Sequence, residues 1–332
     1  MTPPALGATY RLQLHKDFTF EDARRLVPYL KRLGVTHLYA SPILKARPGS
    51  THGYDVADPT VANPELGGEE ARKRLVAEIA GAGLALLLDI VPNHMGTGSA
   101  NPFWEDVLTH GPASRYASWF DIRWSGTAEP LQGRVLLPVL GDKLPAVIER
   151  RELGVALVDG RLRTTYFENQ FPIDPATYPL VLERALAARR GAKERTAPRP
   201  GDVERLRTIA EALGSLPRRV RAHAEQRAAR ASELLDELAT LLKKSAPLRR
   251  RVEAAAEGFA RGAKGRERML ELVQAQPYRL AFWRRAQRLI NYRRFFDINE
   301  LIALRMERDE VFAGVHATVL RWVADGEVQG LR

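Results

Sequence analysis

The sequence contains no cysteine. That excludes disulfides, thiolate metal sites and cysteine nucleophiles, and it fits a reducing compartment. It also lacks any apolar run near the roughly 20 residues a bilayer-spanning helix needs, so no membrane segment is expected. The stretch Met1 to Gly7 carries neither a basic region nor a long apolar core, so no signal peptide is expected there and the expected location is cytoplasmic. Zinc-finger spacing and aromatic ribonucleoprotein motifs are missing too, which removes the usual sequence-level signs of a nucleic-acid reader.

Basic side chains, by contrast, are in excess: 51 Lys and Arg against 40 Asp and Glu, a net charge of +11. Residues 183–296 alone hold 28 basic and 13 acidic side chains. In this segment the charges interleave with Ala and Leu at helical spacing, as around Leu234 to Leu242. That pattern reads as solvated faces of amphipathic helices, and no nucleic-acid partner is expected. At 332 residues and 45% hydrophobic content, the chain can bury a full core in about two domains, or in one barrel-sized domain with insertions.

The first ninety residues alternate regularly. Ala8 to Leu14 has a period near two and predicts a strand. Thr19 is placed to cap a helix over 20–33, with Asp22 three residues on to reciprocate, Leu26, Leu30 and Leu33 on one face, and Gly34 as its stop. Val35 to Ala40 is a second strand, and a helix over 69–80 precedes Gly81-Ala82-Gly83. Leu84 to Val91 is apolar on both faces, as a strand buried between helices should be. Strand, helix, strand, helix, strand is a parallel β/α pattern. From Pro92 to about Asn291 the alternation is lost. Residues 92–180 are rich in Pro, Gly and aromatics, with strand-like pieces at 133–137 and 154–158. Residues 180–290 read as three or four helices, broken at Gly191 to Gly201 and at Ser245-Ala246-Pro247. A long helix is expected over 299–324, and Glu327 to Arg332 begins like another strand. Three and a half strands cannot close a barrel, so the pattern fits an open sheet or a portion of something longer. The expected organisation is 1–94 as three β/α units, 95–291 as an inserted subdomain, and 292–332 as a return to the first layer.

Two constellations carry chemistry. Asp89-Ile90-Val91-Pro92-Asn93-His94 sits at the carboxyl end of a buried parallel strand, where reactive side chains collect in β/α folds. Its Asp, Asn and His suit a metal cluster, an acid/base pair or a sugar-binding set, and with no further ligand at metal spacing a dedicated metal site is the weakest of the three. Upstream, His52-Gly53-Tyr54-Asp55 places an aromatic face beside a carboxylate at a loop tip, which suits the apolar face and edge hydroxyls of a sugar.

Together, a strand-end Gly-Tyr-Asp followed about 35 residues later by Asp-Ile-Val-Pro-Asn-His resembles the α-amylase superfamily, glycoside hydrolase family 13, whose first signature is an Asp-x-Val-x-Asn-His strand end. Gly330-Leu331-Arg332 is similar to the opening of that superfamily's second signature, Gly-(Phe/Leu)-Arg-x-Asp. Thr9 to Gln13, Ser41 to Leu44, Asn101 to Leu108, Phe171 to Ile173 and Arg293 to Leu301 resemble the maltooligosyltrehalose synthase branch in particular. The resemblance implies the N-terminal part of a (β/α)8 TIM barrel, about three to four strands, with a large mostly helical insertion after the third strand.

In function, the resemblance implies an isomerase of trehalose biosynthesis. It would convert the reducing-end α-1,4 linkage of a maltodextrin into an α,α-1,1 linkage by intramolecular glucosyl transfer, without a cofactor. Tyr54 would stack under the sugar whose bond is broken, with His52 and Asp55 beside it. His94 would hydrogen-bond that sugar, and Asp89 would support the surrounding network. Asn93 is similar to a calcium ligand of some members, but no metal is assigned. Arg332 would hold the nucleophile ionised. The nucleophile and acid/base are expected after Arg332, so the 332 residues alone are expected to be inactive. The aromatics Phe103, Trp104, Tyr116, Trp119, Phe120 and Trp124 are candidates for a wall or lid. The alternatives are another family 13 α-glucan hydrolase or transglycosylase, and a non-catalytic protein.

Overall fold

The alternation that starts at Ala8 forms β1 (Thr9–Leu12), and the computed structural model describes residues 4–125, 131–187, 197–217 and 219–332. Next comes α1 (Phe20–Arg32). At its start the Asp22 carboxylate accepts from the Thr19 backbone N–H at 2.9 Å and the Thr19 hydroxyl at 2.8 Å. Its buried stripe is Phe20, Ala23, Val27 and Leu30. Of the predicted face only Leu30 is fully buried. Leu26 lies at the margin, and Leu33, beyond the last turn, is 53% exposed. Gly34, at φ +84°, ends the helix in the left-handed region that favours glycine.

The chain continues through β2 (His37–Ala40), β3 (Leu44–Ala46), β4 (Val56–Ala62), α2 (Gly68–Gly81), β5 (Ala85–Leu88) and β6 (His94–Gly96). Then follow α3 (Pro102–His110), β7 (Val135–Leu140), α4 (Leu144–Glu149), β8 (Leu153–Val158), β9 (Arg161–Tyr166), β10 (Asn169–Pro172), α5 (Pro179–Ala187) and α6 (Pro200–Gly214). After these come α7 (Ala224–Lys244), α8 (Ala246–Glu257), α9 (Gly265–Gln274), β11 (Tyr278–Phe282) and α10 (Ala286–Leu289). Last are β12 (Leu301–Ala303), α11 (Asp309–Ala324) and β13 (Gly330–Leu331).

Contacts resolve into two units. The first comprises Met1–Pro102, Trp119–Asp121 and Arg293–Arg332; the second comprises Phe103–Ser118 and Ile122–Tyr292. The first unit is built on a parallel sheet in the order β1-β2-β5-β13, a mixed α/β arrangement that fits part of a TIM barrel. Its core joins Leu38, Leu86 and Leu88 of the sheet to Val27 and Leu30 of α1, Leu75 and Ile79 of α2, and Val319 and Trp322 of α11. Each such side chain contributes on the order of 1.5–3 kcal/mol by leaving water. The helix predicted from residue 299 begins only at Asp309. Leu301–Ala303 is instead a strand, paired antiparallel with His94–Gly96. A three-residue apolar run has no period of its own, and its partner lies some two hundred residues upstream.

The second unit holds an antiparallel meander, β8-β9-β10, and the parallel pair β7-β11. The predicted break at Ser245 separates α7 from α8. Most of the Gly191 to Gly201 break lies outside the described residues. Not every arginine of this unit is a solvated one: Arg227 is 1% exposed and ion-paired to Asp174, which also lies 3.4 Å from Arg219. Among the candidate lid aromatics, Phe103, Trp104 and Phe120 are buried as core. Tyr116 meets Phe103 edge-on at 4.8 Å.

Candidate functional site

The register of the parallel sheet brings a row of polar side chains to its carboxyl end. Arg11 of β1 pairs with Tyr39 of β2. One row further, the Asp89 N–H donates to the Ala40 carbonyl at 3.0 Å, and the Arg332 N–H donates to the Leu88 carbonyl at 2.9 Å. Four neighbouring strands thus deliver Arg11, Tyr39, Asp89 and Arg332 to one place.

Asp89 is the hub, 6% exposed. Its Oδ2 accepts from the Tyr39 hydroxyl at 2.9 Å and from the Tyr54 hydroxyl at 2.5 Å. Each hydroxyl is in turn held by a guanidinium. Arg332 Nη1 donates to Tyr39 at 2.6 Å, and Arg11 Nη2 donates to Tyr54 at 3.1 Å. Arg11 Nη2 also lies 3.8 Å from Asp89 Oδ2, and Arg11 Nη1 donates to Gln13 Oε1 at 2.7 Å. The two guanidinium carbons sit 5.4 and 5.6 Å from the centre of the Tyr39 ring. Two cations face one carboxylate, so the cluster carries a surplus positive charge. Burial pushes the Tyr54 phenol up, and the Asp89 carboxylate adds to this while Arg11 opposes it. The hydrogen bond to Tyr39 holds Arg332 above its ordinary value. For Arg11, burial works downward, but its bonds to Tyr54 and Tyr39 together outweigh it. These charge-assisted bonds fix both tyrosine rings.

The loop that carries Tyr54 is tied in a sharp turn. Gly53 has φ +77°, and a Cβ there would lie 2.5 Å from the Pro42 carbonyl oxygen, so only glycine fits. Ser50 Oγ donates to the Asp55 carboxylate and accepts from the Gly53 N–H at 3.1 Å. His52 Nδ1 accepts from the Tyr54 N–H at 3.0 Å and lies 3.8 Å from Asp55 Oδ1. Gln13 Nε2 donates to the Thr51 carbonyl at 3.1 Å. Asp55 and His52 therefore shape the loop, and Tyr54 is the residue that reaches the hub.

His94 closes the site from the other strand end. It is 2% exposed, with Nε2 at 3.1 Å from the Tyr54 carbonyl and Nδ1 at 2.7 Å from Asn93 Oδ1. Its ring stacks on Phe295 at 4.2 Å. Burial pushes the imidazole below its ordinary value, against the Tyr54 carbonyl and the Asp55 charge, which favour protonation. Both ring nitrogens are engaged within the protein, so His94 offers no free nitrogen to a sugar in this arrangement. Its contact with the Tyr54 carbonyl braces the Tyr54 loop.

All the expected residues except Arg332 thus trace to two loops that meet: Tyr54 touches both Asp89 and His94. Arg11, Gln13, Tyr39 and Phe295 were not expected at the site. For Arg11 and Tyr39 the available signal was a polar side chain near the carboxyl end of a parallel strand. Phe295 gives no local signal, because the pairing of β6 with β12 is what brings it near His94. Among the described residues, no group of three or more His, Asp or Glu side chains is arranged to hold a metal ion. No described helix is long and apolar enough to cross a membrane.

Residues 24–138 match the family model of the α-amylase catalytic domain. The chain is similar to a protein of Mycobacterium tuberculosis described as a putative maltooligosyl trehalose synthase, 33% identical over 98% of this chain and 30% of the relative. Among solved structures, it is similar to maltooligosyltrehalose synthase from Arthrobacter ramosus, with TM-score 0.64 and 33% identity over 98% of this chain and 30% of that one. A hypothetical maltooligosyl trehalose synthase of Sulfolobus tokodaii gives TM-score 0.62 and 30% identity over 99% of this chain and 31% of that one. The chain spans about 30% of the length of the curated relatives it matches. On motif, sequence and fold together, the chain is similar to the N-terminal part of maltooligosyl trehalose synthases, and residues 24–138 match part of an α-amylase catalytic domain.

Proposed function

We propose that this chain forms the sugar-binding floor of an enzyme that converts the reducing-end α-1,4 linkage of a maltodextrin into an α,α-1,1 linkage. The observation that carries the reading is the convergence of Tyr54 with Asp89 and His94 at the carboxyl end of the parallel sheet. Tyr54 lies beneath the glucosyl ring whose bond is cleaved. Asp89 and Arg11 hold its hydroxyl, so the ring keeps one orientation through the reaction. His94 reaches the sugar only by exchanging its bond to Asn93 or to Tyr54. The surplus positive charge of Arg11 and Arg332 around Asp89 favours a second carboxylate nearby and keeps it ionised.

Retaining glycosyl transfer uses two carboxyl groups about 5–5.5 Å apart. One attacks C1 of the glucosyl unit as the other protonates the leaving O4 of the reducing-end glucose. That glucose then turns, its anomeric hydroxyl attacks the same C1 and displaces the attacking carboxylate, and the hydroxyl proton passes to the acid/base group. Both groups are proposed to come from residues outside 1–332, and these 332 residues alone are expected not to turn over maltodextrin. Hydrolysis competes at the covalent stage, so the complete site must exclude water and retain the glucose.

Incubating the full-length protein with maltopentaose tests the reading. Reducing ends should disappear without matching release of glucose. Stoichiometric release of glucose and shorter dextrins would assign the protein to hydrolysis instead.

A further inference from the structure

We propose that Phe296 is a stacking platform for a second glucosyl ring of the α-glucan, beyond the ring held at Tyr54. The inference rests on the reading above for the identity of the ligand.

Phe296 is the most exposed large apolar side chain described, at 82%. Its backbone is left-handed, with φ +53°, a conformation that disfavours a bulky side chain. Neither burial nor backbone preference within this unit favours a phenylalanine here. The surrounding turn nevertheless holds it firmly. The Phe295 N–H donates to the Leu301 carbonyl at 3.0 Å, and Arg294 Nη1 donates to Asn299 Oδ1 at 2.5 Å. Arg294 also pairs with Asp297.

A chain of contacts links the ring to the site. Tyr54 meets His94, His94 stacks on Phe295, and Phe295 meets Phe296 edge-on at 4.4 Å. The flanking side chains Arg293 and Asp297 are 77% and 73% exposed. An exposed aromatic face flanked by hydrogen-bonding groups matches the apolar face and equatorial hydroxyls of a pyranose. A protein partner would call for a broader apolar patch. Phe167 is a second exposed phenylalanine with φ +50°, packed edge-on against Tyr166 in the other unit. It serves as a control for the loss of an exposed phenylalanine with left-handed backbone.

The test uses the full-length protein, with maltoheptaose binding measured by calorimetry and thermal stability measured alongside. Phe296→Gly relieves the backbone and removes the ring. It should weaken binding at least about fivefold while the melting temperature holds or rises. Phe296→Trp should keep the affinity, and Phe167→Gly should leave it unchanged. Unchanged affinity in Phe296→Gly overturns the proposal. If the melting temperature also falls, the ring is packing surface for another part of the protein. A protein that binds through Phe296 yet forms no trehalose cap would refute the proposed reaction and leave the platform standing. One that forms the cap with unchanged affinity in Phe296→Gly would do the reverse.

Discussion

Replacing Gly53 by alanine should damage the site through the backbone alone. Gly53 has φ +77°, and an added Cβ would lie 2.5 Å from the Pro42 carbonyl oxygen. Left-handed backbone costs a non-glycine residue about 1 kcal/mol. Restoring an ordinary 3.4 Å contact requires a shift of about 0.9 Å, and overpacking of this kind adds about 1–3 kcal/mol. Gly34 separates the two effects. Its φ is +84° with nothing within 4 Å of an added Cβ. Urea unfolding should therefore show a loss of about 1 kcal/mol for Gly34→Ala and about 2–4 kcal/mol for Gly53→Ala. Because Tyr54 follows Gly53 directly, the shift also disturbs the Tyr54 bonds to Asp89 and His94. In the full-length protein, KM for maltopentaose should rise about tenfold in Gly53→Ala alone, within the roughly hundredfold that misplacing a site group by 1 Å can cost. Equal destabilisation of the two variants, or an unchanged KM in Gly53→Ala, would refute the reasoning.

Two further outcomes follow from the same contacts. Asp89→Asn removes the charge that two tyrosine hydroxyls and Arg11 address. Stability should fall by about 1.5–3 kcal/mol, the worth of hydrogen bonds to a charged group, and turnover should fall with it; a neutral effect on both would rule out the hub. His94 is a base whose folded-state pKa is depressed by burial. Its stabilising contribution is complete above the unfolded value near 6.5 and is lost as pH falls below it. Wild type should lose more stability between pH 7.5 and 5.5 than His94→Gln, and parallel urea titrations of the two proteins would contradict this.

Much of the first unit could be read directly from the sequence. The strands at Thr9–Leu12, His37–Ala40 and Ala85–Leu88, and the helices between them, show their period and caps locally. Gly34 stops its helix as its position suggests, because the left-handed conformation is a local property. The buried stripe of α1 runs through Val27 where the sequence pattern points to Leu26, since both are apolar and packing against the sheet selects Val27. The short strand Leu301–Ala303 stands where the sequence pattern predicts helix, because its reason to exist is β6, far upstream. The site divides the same way. Asp89 and His94 follow a strand that its apolar run reveals, and Tyr54 stands on a loop marked by its Gly-Tyr-Asp. Arg11 and Tyr39 join them through lateral register, and Phe295 through a distant pairing, neither of which a linear pattern encodes. Arg227 shows the limit for charge: helical spacing marks a solvated face until one acidic partner, Asp174, makes burial tolerable.

A crystal structure of the full-length protein soaked with maltopentaose addresses the site most directly. A glucosyl ring should lie against the Tyr54 face, with its hydroxyls within hydrogen-bonding reach of the Asp89, Arg11 and His94 cluster. A sugar bound elsewhere, with the Tyr54 face left open to solvent, would contradict the assignment.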